Sequence, residues 1–168
     1  LLAAIRNDDR AVYTDLGLKF FSQARTKCVF ALRKPGVQIV DSRTTKALAA
    51  DLKAVAQRFA PDTRQFTLSL LATNTGAGAW LPSGSESGAV NAGVKILTPD
   101  GGPMTREPIR FPLTDKVVAS GESLNADLVI DLAEFPGDLV LEVDLVAEHV
   151  SWFSQVGSAQ LRFPLSAD

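Results

Sequence analysis

The stretch EVDLVAEHVSWF, residues 142–153, is the strongest indicator of fold class in this chain. Its first half alternates polar and apolar side chains, which is the period of a strand with one buried face. Its second half carries the single histidine, His149, close to the aromatic pair Trp152 and Phe153. Adjacent residues of an extended chain point to opposite faces, so one ring can enter the core while the other faces outward. The stretch predicts the closing strand of a β-sandwich, with a contact site at its rim.

The same alternation recurs along residues 63–168 and separates into short segments. Turns rich in Gly, Pro and Asn divide these segments, and they are too short to hold the crossover helices of a parallel sheet. Pro108 and Pro112 place one segment at a sheet edge. The pattern predicts a mainly β fold, an immunoglobulin-like antiparallel β-sandwich of about seven strands. The predicted strands centre on residues 66–72, 90–96, 109–113, 124–130, 139–145 and 161–165.

Residues 1–62 have a different hydrophobic periodicity and are predicted to be a mixed, mainly helical N-terminal segment. A helix is predicted to begin at Ser42 or Thr44 and to run to about Phe59, ended by Pro61, because apolar residues recur there at spacings of three and four. An earlier helix is predicted to begin at Asp9 or Asp15, and a short strand is predicted over residues 37–40. We therefore predict two domains, 1–62 and 63–168, and one of our hypotheses is that the first is the tail of a larger domain. The apolar stripe of the longer helix consists of Leu48, Leu52, Val55 and Phe59.

Charge and composition exclude several classes of partner. The 168 residues carry a net charge of −2, so no basic field is available for nucleic acid or for an anionic membrane. No apolar run approaches the length of a membrane span, which predicts a soluble chain without membrane insertion. The single cysteine, Cys28, cannot form an internal disulfide, and we interpret it as a buried, inert thiol. Because the chain begins at Leu1 rather than Met, we expect it to be one piece of a longer polypeptide.

The two tryptophans, Trp80 and Trp152, are the candidate ligand contacts. Sugar rings have apolar C–H faces, so a flat aromatic ring flanked by hydrogen-bonding groups suits them. The competing interpretation is that the large aromatic residues only anchor the core, which is their commonest role. The residues that could supply hydrogen bonds to a sugar are Asn74, Asp144, Glu148, His149 and Ser151.

Catalytic and metal-binding roles find little support in the sequence. His149 has no second histidine to share a metal, and no Asp-rich loop accompanies Asp144 and Glu148 as a calcium site would need. As a general base His149 would require a nucleophile, and Ser151 is the nearest one in sequence. The pairs Glu142 with Asp144 and Asp127 with Asp131 fall on rows predicted to be solvated. We predict no catalytic residues, no metal and no cofactor.

Three motifs within residues 63–168 resemble a known family. They are TNTG at 73–76 followed by Trp80, the SG turn at 120–121, and the block DLV, E, VSWF and G at 144–157. They are similar to immunoglobulin-like modules found beside bacterial glycosyltransferase and methyltransferase domains in surface-polysaccharide pathways. This chain departs from that pattern at His149, where a small residue is common, and at residues 155–156, where charged residues are common.

The resemblance implies an accessory, non-catalytic module of a bacterial surface-polysaccharide biosynthesis or export protein. We also predict a cytoplasmic location, with association to the inner membrane face through partners. Our leading hypothesis is this non-enzymatic accessory module, and glycan binding is the activity we consider for it. The alternative hypothesis is a structural module that forms homo-oligomers or positions a neighbouring catalytic domain, with residues 1–62 packing on that partner.

Overall fold

Residues 40–167 are described by a computed structural model, in which they form a β-sandwich. Every pairing between strands in this part of the chain is antiparallel, and the strands build two sheets, which confirms the predicted mainly β class. The elements in chain order are a 3₁₀ turn Thr45–Ala47, β1 Ala50–Ala60, β2 Gln65–Asn74, β3 Val90–Leu97, β4 Ile109–Pro112, β5 Ser123–Asp131, β6 Leu139–Ala147, β7 Ser151–Trp152, a 3₁₀ turn Ser154–Val156 and β8 Leu161–Leu165.

The first sheet has three strands in the order β1, β2, β5. The central strand, β2, buries every second side chain and leaves the alternate positions partly open, as its sequence pattern predicts. Phe66 on β2 lies opposite Ile130 on β5, and each is 1% exposed. The outward row of this sheet carries small polar residues, among which Ser69 and Asp127 are hydrogen-bonded at 2.7 Å.

Residues 50–60 form a strand, so the helix predicted over residues 42–59 is wrong. β1 pairs with β2 along its length, with one bulge at Val55. The predicted helical stripe would bury Leu52 and Val55 together, but Leu52 is 8% exposed and Val55 is 64% exposed. Pairing with β2 satisfies the backbone of β1 and overrides the local three- and four-residue spacing. The turn at 61–64, where we predicted a domain boundary, connects these two paired strands.

The second sheet contains five strands and carries the site described below. Its order is β4, β3, β6, and the far edge of β6 pairs with β8 along its first half and with β7 at its end. β4 lies at the edge of this sheet within the described residues, as Pro108 and Pro112 predicted. β6 is the most buried strand of the sheet. The apolar row of its alternating sequence lies in the core and consists of Leu139, Leu141, Val143 and Leu145.

The two sheets enclose a single hydrophobic core. Side chains from both sheets belong to one buried cluster, and Phe66 of the first sheet packs on Phe163 of the second with ring centroids 5.2 Å apart. All six strands predicted from alternation are present, together with β1 and the two-residue β7. The predictions for the helix beginning at Asp9 or Asp15, for the strand at 37–40 and for Cys28 fall wholly or almost wholly outside the described residues.

Candidate functional site

The outer face of the five-stranded sheet is the candidate site. On β3, alternation sends Ala92 and Val94 into the core, where both are 0% exposed, and sends Asn91, Gly93 and Lys95 outward. The register then aligns outward residues across strands. Gly93 lies opposite Arg110 of β4 on one side and opposite Asp144 of β6 on the other, and Lys95 lies opposite Glu142. The sequence thereby brings polar residues from distant segments onto one surface.

Trp152 and Phe153 point to opposite faces of this sheet, as their adjacency predicted. Phe153 is 0% exposed and meets Trp80 edge-on, with ring centroids 5.6 Å apart and planes at 90°. Edge-to-face contact is a favoured geometry for buried aromatic pairs. Trp152 lies on the outer face and is half-buried. Phe153 therefore anchors the core, and Trp152 provides an aromatic ring at the surface.

Gly93 provides the place on which the Trp152 ring rests. A Cβ at position 93 would lie within 2.5 Å of Cη2 of Trp152 and closer still to Cζ3. No real side chain tolerates such a contact, so the ring can occupy this position only above a glycine. Glycine inside a strand often marks the close approach of another group. Here the approaching group is the indole of β7.

Two cations flank the Trp152 ring. The guanidinium carbon of Arg110 lies 4.5 Å from the ring centroid, and Nζ of Lys95 lies 5.2 Å from it. These distances fall within the range of cation–π attraction, which holds the cations and the ring together. Both cations also form ion pairs, Arg110 with Glu148 at 3.0 Å and Lys95 with Glu142 at 2.9 Å.

Amide side chains complete this network. Oε1 of Glu148 accepts hydrogen bonds from Nε of Arg110 and from Nδ2 of Asn91, the latter at 3.1 Å. Oε1 of Glu142 accepts from Lys95 and from Nε2 of Gln160, the latter at 3.1 Å. We call this surface the Trp152 patch, and its members are Asn91, Gly93, Lys95, Arg110, Glu142, Glu148 and Trp152.

Asp144 is buried at the Trp152 patch, which corrects the prediction that it belongs to a solvated row. It is 1% exposed and accepts hydrogen bonds from the backbone N–H of Leu145 at 2.7 Å and of Ser154 at 3.3 Å. Nε2 of Gln160 donates to it at 3.3 Å. These bonds satisfy a carboxylate that would otherwise be costly to bury. Glu142 is half-buried on the same row, whereas Asp127 and Asp131 are exposed on the first sheet.

His149 and Ser151 lie in and beside the turn between β6 and β7. His149 is exposed and has a φ of 62°, in a turn closed by the hydrogen bond from N–H of Val150 to C=O of Ala147 at 3.0 Å. Within residues 40–167 no group forms a hydrogen bond with its imidazole. The hydroxyl of Ser151 contacts the carbonyl of Trp152 at 3.1 Å and Oε1 of Gln155 at 3.2 Å. The structure therefore does not join His149 and Ser151 into a catalytic pair.

Asn74 and Trp80, two of the predicted contacts, are interior residues. Trp80 is 1% exposed, so a sugar ring has no access to either face of its indole. Asn74 is 0% exposed and donates from Nδ2 to C=O of Gly78 at 2.9 Å and of Val118 at 3.0 Å. These bonds hold the turn after β2. Both residues maintain the fold at one end of the sandwich, which is the core role weighed against ligand contact above.

Sequence reasoning missed four members of the Trp152 patch, Asn91, Gly93, Lys95 and Arg110. It assigned a fifth member, the half-buried Glu142, to a solvated row. A signal for three of the four missed members was present in the segment NAGVK, residues 91–95, where a glycine interrupts an alternating strand between two polar outward positions. Arg110 could be placed only by the register of β4 against β3, which local sequence does not specify.

The described residues offer no metal centre and no membrane-spanning helix. Within residues 40–167 no group of three or more His, Cys, Asp or Glu side chains comes together as a metal site would require. In the same range, no helix has both the length and the apolar character needed to cross a bilayer. The chemistry available at the Trp152 patch is aromatic contact, hydrogen bonding and charge pairing.

Comparisons with known proteins locate distant structural neighbours. No family model and no curated protein matches the chain. Beta-glucosidase 3B from Thermotoga neapolitana, in complex with glucose, aligns at 18% identity over 71% of this chain and 16% of that chain, with a TM-score of 0.36. A beta-glucosidase from Kluyveromyces marxianus aligns at 12% identity over 70% of this chain and 14% of that chain, with a TM-score of 0.39. The chain thus spans less than a fifth of either neighbour's length.

Proposed function

We propose that residues 40–167 are a non-catalytic accessory module that binds a glycan at the Trp152 patch. The observation that carries this proposal is the half-buried Trp152 ring, held on the outer face of the sheet among charged hydrogen-bonding side chains. Sugar recognition combines an apolar ring face with a few well-placed polar groups. Trp152 supplies the first, and Arg110, Lys95 and Glu148 supply the second.

The fixed positions of these side chains favour binding. Arg110 is held by Glu148, Lys95 is held by Glu142, and Trp152 rests on Gly93. Binding to side chains that are already held in place costs less conformational entropy than binding that must first order those side chains. Every member of the patch except Glu148, which directly follows β6, lies on a strand, so the geometry of the patch follows that of the sheet.

A binding role fits the carboxylates better than a catalytic role does. Two carboxylates that act on one glycosidic bond must both reach the substrate. Asp144 is 1% exposed and its oxygens accept hydrogen bonds from two backbone N–H groups and Gln160, so a substrate has no access to it. Within the pair Glu142 and Asp144 this leaves Glu142, which alone cannot provide both the acid and the base.

The strand order supports an immunoglobulin-like module. In that fold, strands two and five share one sheet, while strands three, six and the last share the other. The present order, β1-β2-β5 and β4-β3-β6-β8, shares these placements, while β4 pairs with β3 rather than joining the first sheet. Together with the motif that contains Trp152, it underlies our proposal that the parent protein acts in bacterial surface-polysaccharide biosynthesis or export, in the cytoplasm.

The proposal is tested by titrating the chain with bacterial surface oligosaccharides and following tryptophan fluorescence. Because Trp80 is 1% exposed, a ligand-dependent change in emission reports on Trp152. We expect a saturable change in the micromolar to millimolar range. Calorimetry, which does not need the indole as reporter, should show that binding is lost in Trp152→Leu, which keeps an apolar side chain over the sheet. The control is Leu71→Ala on the outer row of the first sheet, which should bind normally. A flat titration at millimolar ligand, with the fold intact by circular dichroism, would refute glycan binding.

A second candidate function is a structural module that docks through the three-stranded sheet. Two large apolar residues of this sheet are strongly exposed, Val55 at 64% and Val129 at 50%. Exposed apolar side chains on a sheet favour contact with a protein partner when they form part of a larger patch. Light scattering tests this: a concentration-dependent dimer that Val129→Lys dissociates would support self-assembly, and a monomer at all concentrations would exclude it.

A further inference from the structure

We infer that the ligand of the Trp152 patch is an acidic glycan, whose sugars carry carboxylates. This inference rests on the proposed function and narrows its ligand class. Its basis is the sign of the charges closest to the ring. Arg110 at 4.5 Å and Lys95 at 5.2 Å from the ring centroid are both cations, and both side chains donate hydrogen bonds without being able to accept them. A sugar placed against Trp152 must therefore present acceptors to them.

Donors near the ring outnumber the bonds they make. Arg110 has five N–H groups, of which Nε bonds to Glu148 at 3.0 Å and Nη1 reaches C=O of Pro108 at 3.3 Å. Within residues 40–167 its Nη2 has no hydrogen-bond partner. Lys95 has three donor hydrogens and makes one such bond, to Glu142 at 2.9 Å. A carboxylate is the acceptor that matches a guanidinium best, because it can take two parallel N–H bonds.

The acidic residues of the patch do not cancel this preference. Oε1 of Glu148 and Oε1 of Glu142 each accept two hydrogen bonds already. Arg162 adds a third cation, 3.8 Å from Oε2 of Glu142. Asp144 is 1% exposed, so the charged groups that a ligand can contact directly are three cations and two carboxylates. A carboxylate on a sugar can form charge-assisted hydrogen bonds with the free donors of these cations, whereas a neutral sugar offers them only uncharged acceptors.

The test compares two ligands that differ only in their carboxylates. A uronic-acid tetrasaccharide and its carboxyl-reduced, neutral counterpart of the same linkage are titrated into the full chain by calorimetry. We expect the acidic form to bind about tenfold more tightly at roughly 0.05 M salt, and that advantage to shrink at roughly 0.5 M salt because screening weakens the charge contacts. Equal or tighter binding of the neutral form would overturn the acidic preference and leave glycan binding standing.

Single substitutions distinguish the effect of the two cations beside Trp152 from the effect of the protein's overall net charge. Arg110→Gln should reduce the acidic advantage to about threefold or less, and Lys95→Gln should act in the same direction, because each removes a charge beside the ring. Arg58→Gln, an exposed arginine on β1 of the other sheet, is the matched control and should keep the full advantage. An unchanged ratio in both patch variants would overturn the inference.

Two further outcomes are decisive. Polyglutamate of matched charge is included as a polyanion without sugar rings, and binding as tight as that of the tetrasaccharide would show simple ion exchange and overturn the inference. Failure of both tetrasaccharides to bind, with the fold intact, would count against the proposed function and the acidic preference together.

Discussion

The outer faces of the two sheets are built from the same alternating strands but carry different chemistry. On the three-stranded sheet the outward rows of β2 and β5 hold no aromatic ring, and their contacts are single pairs such as Ser69 with Asp127 and Thr73 with Ser123. On the five-stranded sheet Trp152 lies among cations, carboxylates and amides that share partners. Alternation accounts for the existence of both faces, and the ring seated on Gly93 accounts for the difference between them.

This difference predicts where substitutions will be costly. On the first face the polar contacts are isolated cross-strand pairs, so removing one side chain affects only its single partner. On the second face the ring, the ion pairs and the buried Asp144 depend on one another. A change there should spread to several contacts, and a matched change on the first face should not.

The largest effect is expected from filling the space above Gly93. Gly93→Val would place side-chain atoms where the Trp152 ring lies, and we expect a loss of about 2 kcal/mol in the free energy of unfolding because the ring must move. Gly84→Val is the control, since a Cβ at position 84 meets no atom within 4 Å. Urea denaturation measures both variants. Equal free energies of unfolding for the two variants would contradict the claim that Trp152 needs a glycine beneath it.

A slightly smaller effect is expected at the buried carboxylate. Asp144→Ala removes the acceptor for the N–H groups of Leu145 and Ser154 and should cost about 1–2 kcal/mol. Asp127→Ala on the first face loses one exposed bond to Ser69 and should change stability by less than about 0.5 kcal/mol. Thermal and urea unfolding of the two variants compare the faces directly. A larger loss in Asp127→Ala would reverse the comparison.

The smallest effect concerns ion pairs on the two faces. Lys95 and Glu142 have side chains 35% and 14% exposed, whereas those of Lys53 and Asp51 are 67% and 50% exposed. Solvent screens the second pair more strongly. Double-mutant cycles should give a coupling energy of about 1 kcal/mol for the first pair and below about 0.3 kcal/mol for the second. Equal coupling energies would show that the Trp152 patch is not a cooperative network.

Much of the fold could be predicted from the sequence, because a strand with one buried face shows a two-residue alternation of polar and apolar side chains. The strand at 139–147 and its five predicted companions follow from alternation alone, and so does the division of Trp152 and Phe153 between surface and core. β1 was missed because the apolar residues at 48, 52, 55 and 59 fit a helix locally. The deciding interaction, pairing with β2, is a hydrogen-bonding relation between two segments.

Less of the candidate site could be predicted from the sequence, because the site also depends on how distant segments pair. Trp152 and Glu148 were identified because they are adjacent to the most informative strand. Trp80 and Asn74 were misplaced because burial depends on what the other sheet covers. Arg110 and Lys95 become neighbours of Trp152 only through strand register, and register is set by the whole sheet rather than by any one strand.

The most direct test of glycan binding at the Trp152 patch is a ¹⁵N NMR titration that follows the two indole N–H signals. The signals are assigned with Trp152→Phe, and a surface oligosaccharide is added to the full chain. We predict that the Trp152 indole signal shifts with saturation, together with the amides of β3 and β7, while the signal of the buried Trp80 stays in place. A stationary Trp152 signal, or shifts confined to β1, β2 and β5, would contradict the account.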